Sequence, residues 1–282
     1  MRLTVSGHAF EVLPLEGVLA VVKHLGFKGV DLSGFHARGR CSIEPEDILR
    51  EPQAQADRVN RLLDSYELDA VDYFPQFGAS PDQHSINDLD PAVREKSLVL
   101  IRACAQFCQK VGISGMTILP GVDHPQRTLM ENLTISGEQL RRATEICAEY
   151  GIKLRFEAHM GSITQTPEIT KTLIDQYAPA AKVTLDYSHF VLQYIPEERI
   201  HALLPYADHI HIRPSRPGKL QTRYEENTID WVDIIQRLKA LNYQSTLSVE
   251  YVCSSWFDLN QVDTLYETAA TKAALESYVG RL

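Results

Sequence analysis

The sequence predicts an α/β protein built as a single closed (β/α)8 barrel, and three observations lead there. Eight short β-like runs alternate with longer helical patterns along the whole chain. No linker-like shift in composition separates any unit from the next. Along the last four runs, apolar residues keep to one face and ionisable residues to the other, as the period-two geometry of a strand allows. Eight βα units in 282 residues is the size and rhythm of such a barrel, taken here as one domain over residues 1–282. A doubly wound open sheet is the competing architecture, but it calls for a Gly-rich phosphate turn after an early strand, and the sequence has none.

In order, the expected strands are RLTVSG (2–7), GVDLS (29–33), DAVDYF (69–74), GMTILP (115–120), IKLRFEAH (152–159), KVTLDY (182–187), DHIHIRP (208–214) and STLSVEYV (245–252). Helices are expected at 14–24, 45–66, 91–111, 134–150, 167–177, 196–205, 229–241 and 260–280, with TPEI and IPEE supplying start signals. In the fifth strand Leu154, Phe156 and Ala158 share one face while Arg155, Glu157 and His159 share the other. The sixth sets Thr184 and Asp186 against Val183 and Leu185, the seventh His209, His211 and Arg213 against Ile210 and Ile212, and the eighth Ser248 and Glu250 against Leu247 and Val249. Only a helix layer can take the apolar set. The ionisable set therefore points into the barrel, and functional residues belong at the C-terminal strand ends or in the loops just after them.

Composition narrows the function. With 44% hydrophobic residues the chain can bury a substantial core, and a net charge of -9 spread along its length disfavours a nucleic-acid partner. The five cysteines match neither a zinc site nor a disulfide framework, so Cys104 and Cys108, four apart on an expected helix, read as apolar filler. The N-terminus lacks a signal-peptide apolar region, and no apolar run approaches the roughly 18 residues of a membrane span. A cytoplasmic enzyme acting on a small molecule is the expectation, with no membrane partner and a homo-oligomeric assembly left open.

Glu157, Asp186 and Glu250 would converge, with His211, on the mouth of one narrow barrel. Carboxylates about 4 Å apart repel by roughly 4 kcal/mol per pair at an effective dielectric near 20, so three together call for a cation. Pairing of each acid with Arg155 or Arg213 is the competing explanation. Three oxygen acids and one imidazole without a thiolate suit a single Mn2+, with Mg2+, Co2+ or Zn2+ as alternatives. Four ligands leave positions open for substrate oxygens. His209 reads as packing or support for the ligands.

Glu157 ending LRFE, Asp186 and His189 in TLDYSH, His211 in HIHIRP and Glu250 in LSVEY resemble the sugar phosphate isomerase/epimerase superfamily of xylose-isomerase-like barrels, among them ketose 3-epimerases, inosose dehydratases and hydroxypyruvate isomerases. The resemblance implies that Glu157, Asp186, His211 and Glu250 bind the metal and that His189 holds a substrate oxygen. It also implies that Glu157 and Glu250 exchange a carbon-bound proton through an enediolate, as catalytic residues of an isomerase or epimerase acting on a ketose, sugar acid or sugar phosphate. Endonuclease IV repair enzymes share the superfamily, but where they carry an Asp and a His after the seventh strand this chain reads TRYEEN, and its third strand end, VDYFPQFG, supplies no histidine, so two of their three zinc ions would lack ligands.

One stretch departs from that pattern. HIRPSRPGKLQTR carries Arg213, Arg216, Lys219 and Arg223. A solvated basic loop is the competing reading of the last three, but Arg213 falls on the inward face beside His211, where a guanidinium can grip a carboxylate or phosphate. Arg213, Arg216, His159 and His189 are therefore the expected substrate contacts. An anionic substrate opens the alternative of a lyase, a decarboxylase or dehydratase on a keto sugar acid or keto-inositol. A barrel that merely binds sugar would keep this shape without an intact ligand set.

Overall fold

The computed structural model describes residues 1–36 and 39–281. All eight runs form strands: β1 (Arg2–Ser6), β2 (Gly29–Phe35), β3 (Asp69–Gln76), β4 (Gly115–Ile118), β5 (Lys153–Glu157), β6 (Lys182–Asp186), β7 (Ala207–Ile212) and β8 (Thr246–Val249). Each pairs in parallel with the next, and β8 closes on β1 with Leu247 opposite Leu3 and Val249 opposite Val5. Parallel neighbours need a crossover, and the helices supply it. These are α1 (Leu15–His24), α2 (Pro45–Arg50), α3 (Pro52–Tyr66), α4 (Pro91–Val111), α5 (Leu129–Glu149), α6 (Pro167–Thr172), α7 (Ser188–Val191), α8 (Glu197–Ile200), α9 (Trp231–Ala240) and α10 (Thr264–Arg281). Among the described residues no helix is long and apolar enough to cross a membrane.

Several boundaries differ from the sequence reading, each for a local reason. The helix expected at 45–66 is two helices, because Glu51 leaves helical geometry (φ −137°, ψ 60°) ahead of Pro52, which opens α3. The helix expected at 134–150 begins at Leu129, where Thr128 and Glu131 form a capping box. The one expected at 167–177 ends in a π-helical turn over Leu173–Tyr177, and that expected at 196–205 passes into a 3-10 turn over His201–Tyr206 that holds Pro205. The last helix starts at Thr264, after a 3-10 segment over Trp256–Gln261. β5 and β8 stop at Glu157 and Val249, so His159 and Glu250 sit just beyond their strands, and α7 is a short helix the sequence reading did not anticipate.

The two faces of the barrel divide as period two requires. Val30, Leu154, Phe156, Val183, Leu185, Ile210, Ile212 and Leu247 are buried with Leu19, Ile101, Cys104, Cys108, Leu140 and Ile234 of the helices in one apolar core. The lumen is polar instead of being filled by branched aliphatic layers. Arg155 Nη1 donates to Asp72 Oδ1 (2.8 Å) and its Nε to Asp208 Oδ2 (3.0 Å), Thr117 and Thr184 hydroxyls meet at 2.6 Å, and His209 Nε2 lies 2.9 Å from Asp31 Oδ2. Gly115 makes room for the guanidinium, since a Cβ there would stand 1.7 Å from Arg155 Nη1. Buried polar groups of this kind persist only when paired. Here they form a fixed platform under the barrel mouth.

Candidate active site

Four of these strands deliver the site. Glu157 ends β5, Asp186 ends β6, His211 lies one residue before the end of β7 and Glu250 follows β8. Register sets Asp186 opposite His211, while Glu157 lies opposite Thr184, two residues before Asp186, and Glu250 follows two residues after Ser248, which lies opposite His211. One ligand atom from each of Glu157, Asp186, His211 and Glu250 lies within 4.8 Å of all the others, and all four residues are buried. His211 Nδ1 is 2.8 Å from Glu157 Oε1 and 3.2 Å from Glu250 Oε2. Arg213 donates from Nη2 to Glu250 Oε2 and stands 3.4 Å from Asp186 Oδ2.

Charge explains the protonation of this cluster. Burial pushes the Glu157 carboxyl up to about 7, against the pull of His211. Burial would raise Glu250 too, but His211 and Arg213 outweigh it and hold that carboxyl well below its usual range. Asp186 is raised by burial, partly offset by Arg213. Burial opposes a charge on His211, yet Glu250 and Glu157 raise its pKa well above the ordinary value.

The donor set fits a divalent cation. Three carboxylates and an imidazole converge without a thiolate, and Asp186 divides its oxygens unequally. Oδ1 accepts from the Ser188 amide (2.8 Å), whereas Oδ2 is buried with no hydrogen-bond partner. A buried carboxylate oxygen left this way is costly unless positive charge faces it; the Arg213 guanidinium at 3.4 Å supplies part of that charge without a hydrogen bond, and a cation held by the four residues would supply the rest. Behind the cluster, Asp31 Oδ2 meets His209 Nε2 at 2.9 Å and lies 3.9 Å from His211 Nε2, an ion-pair separation beyond hydrogen-bond reach.

Above the cluster opens a cavity of about 540 Å³, whose wall includes Glu157, His159, Arg213, Glu250, Phe74 and Trp256. His189, carried on α7, is buried with Nε2 3.6 Å from Asp186 Oδ2. His159 is sandwiched between the rings of His189 (4.0 Å) and Trp256 (5.7 Å, nearly parallel), and its Nδ1 meets the Met160 carbonyl. Burial, then Arg213, lowers His159 to about 4, and burial, then His159, takes His189 well below the usual value, so both rings are neutral. Arg216 does not join them. It is exposed in a small hairpin with Lys219 and pairs with Glu226 at 3.8 Å.

The sequence reading missed Asp31, Asp72, Phe74 and Trp256. For the two acids the signal was present, since Asp31 alternates with the buried Val30 and Leu32. Trp256 lies in a loop without periodicity.

The sequence pattern of the family described as xylose isomerase-like TIM barrel matches residues 19–277. No curated protein matches the chain by sequence. Among solved structures, the D-psicose 3-epimerase from Clostridium cellulolyticum H10, solved with D-tagatose, superposes with a TM-score of 0.75 at 16% identity, covering 99% of each chain. The probable 3-DHS dehydratase of Bacillus anthracis, involved in petrobactin synthesis, gives 0.73 at 16% identity over 98% of each chain. The IolI protein, solved with a bound zinc atom, gives 0.74 at 15% identity over 100% of this chain and 99% of its own. At such identities these likenesses speak to the fold.

Proposed function

The chain belongs to the xylose isomerase-like TIM barrel family, and from that membership we propose that it is a divalent-metal-dependent isomerase or epimerase of a ketose or related sugar, working through an enediolate. One observation carries the reading: the ligand atoms of Glu157, Asp186, His211 and Glu250 gather within 4.8 Å under a cavity of about 540 Å³ at the C-terminal mouth of the barrel. That volume is of the size that encloses a small ligand. The same four residues would hold the cation, with Mn2+ the best match to an all-oxygen set plus one imidazole and Mg2+, Co2+ or Zn2+ also accommodated. When bound, the cation polarises a substrate carbonyl and makes the adjacent C–H more acidic.

The rest is done by side chains. In this reading Glu250, hydrogen-bonded by Arg213, takes a proton from carbon, and Glu157, which shares His211 Nδ1 with it, returns one. Positioned acid–base catalysis of this kind contributes roughly 10²- to 10⁴-fold. In this reading His159 in the cavity wall and His189 behind it, beside Asp186, both neutral, offer ring nitrogens to substrate oxygens, and the aromatic wall of Phe74 and Trp256 keeps water from the reacting carbon.

A specific feature favours a second reading, a lyase acting on a keto sugar acid. Arg213 Nε is buried with no acceptor, leaving one N–H of a guanidinium in the cavity wall. A substrate carboxylate would satisfy it; loss of CO2 from a β-keto acid sends the C–C bond pair into the carbonyl and so generates the enediolate, while an enediolate beside a hydroxyl can expel it as water once that oxygen is protonated. Proton NMR of ketoses, keto acids and sugar phosphates incubated with the purified protein tests both readings. Conversion at unchanged formula supports the isomerase, release of CO2 or water supports the lyase, and no conversion of any would refute both.

A further inference from the structure

A second cavity of about 630 Å³ lies against the first. The two share Pro81, His159 and Trp256 in their walls, so the stacked His159–Trp256 pair forms a sill between an inner chamber over the carboxylates and an outer groove. The outer groove combines the aromatic rings of Trp256 and Phe257 with Asp82, Asp123, Gln126 and Gln165. This is the chemistry of a neutral sugar ring, whose C–H face lies on an aromatic surface while its hydroxyls meet carboxylates and carboxamides. Two carboxylates in the wall would repel an anion. Both are already oriented, Asp82 by the Ser80 hydroxyl (2.6 Å) and Asp123 by the Asn132 amide (2.8 Å).

The aromatic platform is preformed. Trp256 and Phe257 remain 43% and 47% exposed, although ordinary folding would bury such rings. Phe257 and Asp258 adopt left-handed backbone (φ 51° and 56°), a conformation that non-glycine residues hold only when their surroundings impose it. The constraint is visible. Buried Gln221 donates from Nε2 to the carbonyls of Val252 (2.9 Å) and Leu259 (2.7 Å) and accepts the Val252 amide (2.8 Å), pinning both ends of the loop. Leu220, Val252 and Leu259 pack beneath it as a small core of their own.

We propose that the substrate is a glycoside: the sugar that reacts occupies the inner chamber, and a second, neutral sugar ring linked to it crosses the His159–Trp256 sill and stacks in the outer groove. This deepens, and rests on, the reading of the inner chamber as a sugar site. The test uses the metal-loaded protein and calorimetric titration with D-fructose and with glucosyl-fructoses linked through O3, O4, O5 or O6. At least one glycosyl ketose should bind tenfold or more tightly than fructose and should shield Trp256 from acrylamide quenching; the other tryptophan, Trp231, is buried and contributes little to that signal. Phe257→Ala, which removes a ring that lines the outer groove and not the inner chamber, although it packs edge-on against Trp256 (4.7 Å), should bring the preference to within twofold while fructose affinity changes less than twofold. Fructose binding with no gain for any glycoside, or a gain that survives Phe257→Ala, would overturn the second subsite alone. Failure of fructose and every glycoside to bind would overturn the sugar reading of the inner chamber and the subsite with it.

Discussion

Replacing Arg213 with leucine removes a buried guanidinium from between two buried carboxylates, Glu250 through a direct hydrogen bond and Asp186 at 3.4 Å. At that separation a pair of unit charges attracts by about 5 kcal/mol at an effective dielectric near 20, before the cost of burying both groups is subtracted. Breaking a buried pair by removing one partner generally costs about 3–5 kcal/mol, because the remaining charge is left uncompensated. The proposed metal site makes the loss conditional. A divalent cation held by the same carboxylates supplies the missing positive charge, so the loss should be about 3–5 kcal/mol in chelator-treated protein and no more than ~1.5 kcal/mol, the scale of one ordinary hydrogen bond, in metal-loaded protein. The variant should also bind the cation more tightly than the wild type, because Arg213 no longer competes for Glu250 and Asp186. Urea denaturation with EDTA and with added Mn2+ measures both limbs. Equal losses under the two conditions would refute the idea that guanidinium and cation neutralise one set of acids.

Three further outcomes follow from the same geometry. Asp186→Asn keeps the volume but removes the charge of the oxygen that has no hydrogen-bond partner, so elemental analysis should find the divalent ion lost while circular dichroism is unchanged; full occupancy would remove Asp186 from the ligand set. Gly115→Ala places a Cβ 1.7 Å from Arg155 Nη1 and should cost about 3–5 kcal/mol by displacing that guanidinium from Asp72, whereas in an Arg155→Ala background it should cost less than ~1 kcal/mol. Additive losses in that double-mutant cycle would contradict the packing argument. Glu250→Gln should lower turnover by roughly 10²- to 10⁴-fold while substrate affinity, measured by titration, falls far less, since an amide coordinates weakly but cannot take the proton; parallel losses would make Glu250 a binding residue only.

The parts of this protein that were legible in its sequence are those governed by short-range periodicity. Period two assigned Glu157, Asp186, His211, Arg213 and Glu250 to the lumen, and all five are buried there. The same rule places Asp31 and Asp72 inside, but their meaning depends on partners far along the chain: His209, which meets Asp31, is 178 residues away, and Arg155 is 83 residues from Asp72. Periodicity gives the face of a residue and not its partner. For that reason the sequence leaves Arg213 open between a grip for an anion and a partner for the inward acids, and in the fold it pairs with Glu250 and Asp186. Arg216 and Trp256 lie in loops, where no repeat constrains direction; one ends in solvent beside Glu226 and the other forms a cavity wall. The break before Pro52 and the capping box at Thr128 were local signals, readable in principle.

The central claim is that Glu157 and Glu250 move a carbon-bound proton at the barrel mouth, and solvent deuterium tests it most directly. With a substrate that the protein converts, turnover in D2O should place deuterium on the carbon next to the carbonyl, in the product and with time in the recovered substrate, and Glu250→Gln should abolish that incorporation along with turnover. Conversion with no solvent deuterium at carbon would contradict the enediolate mechanism. Transfer of a label from the migrating hydrogen of the substrate into the product would assign the reaction to a hydride shift instead.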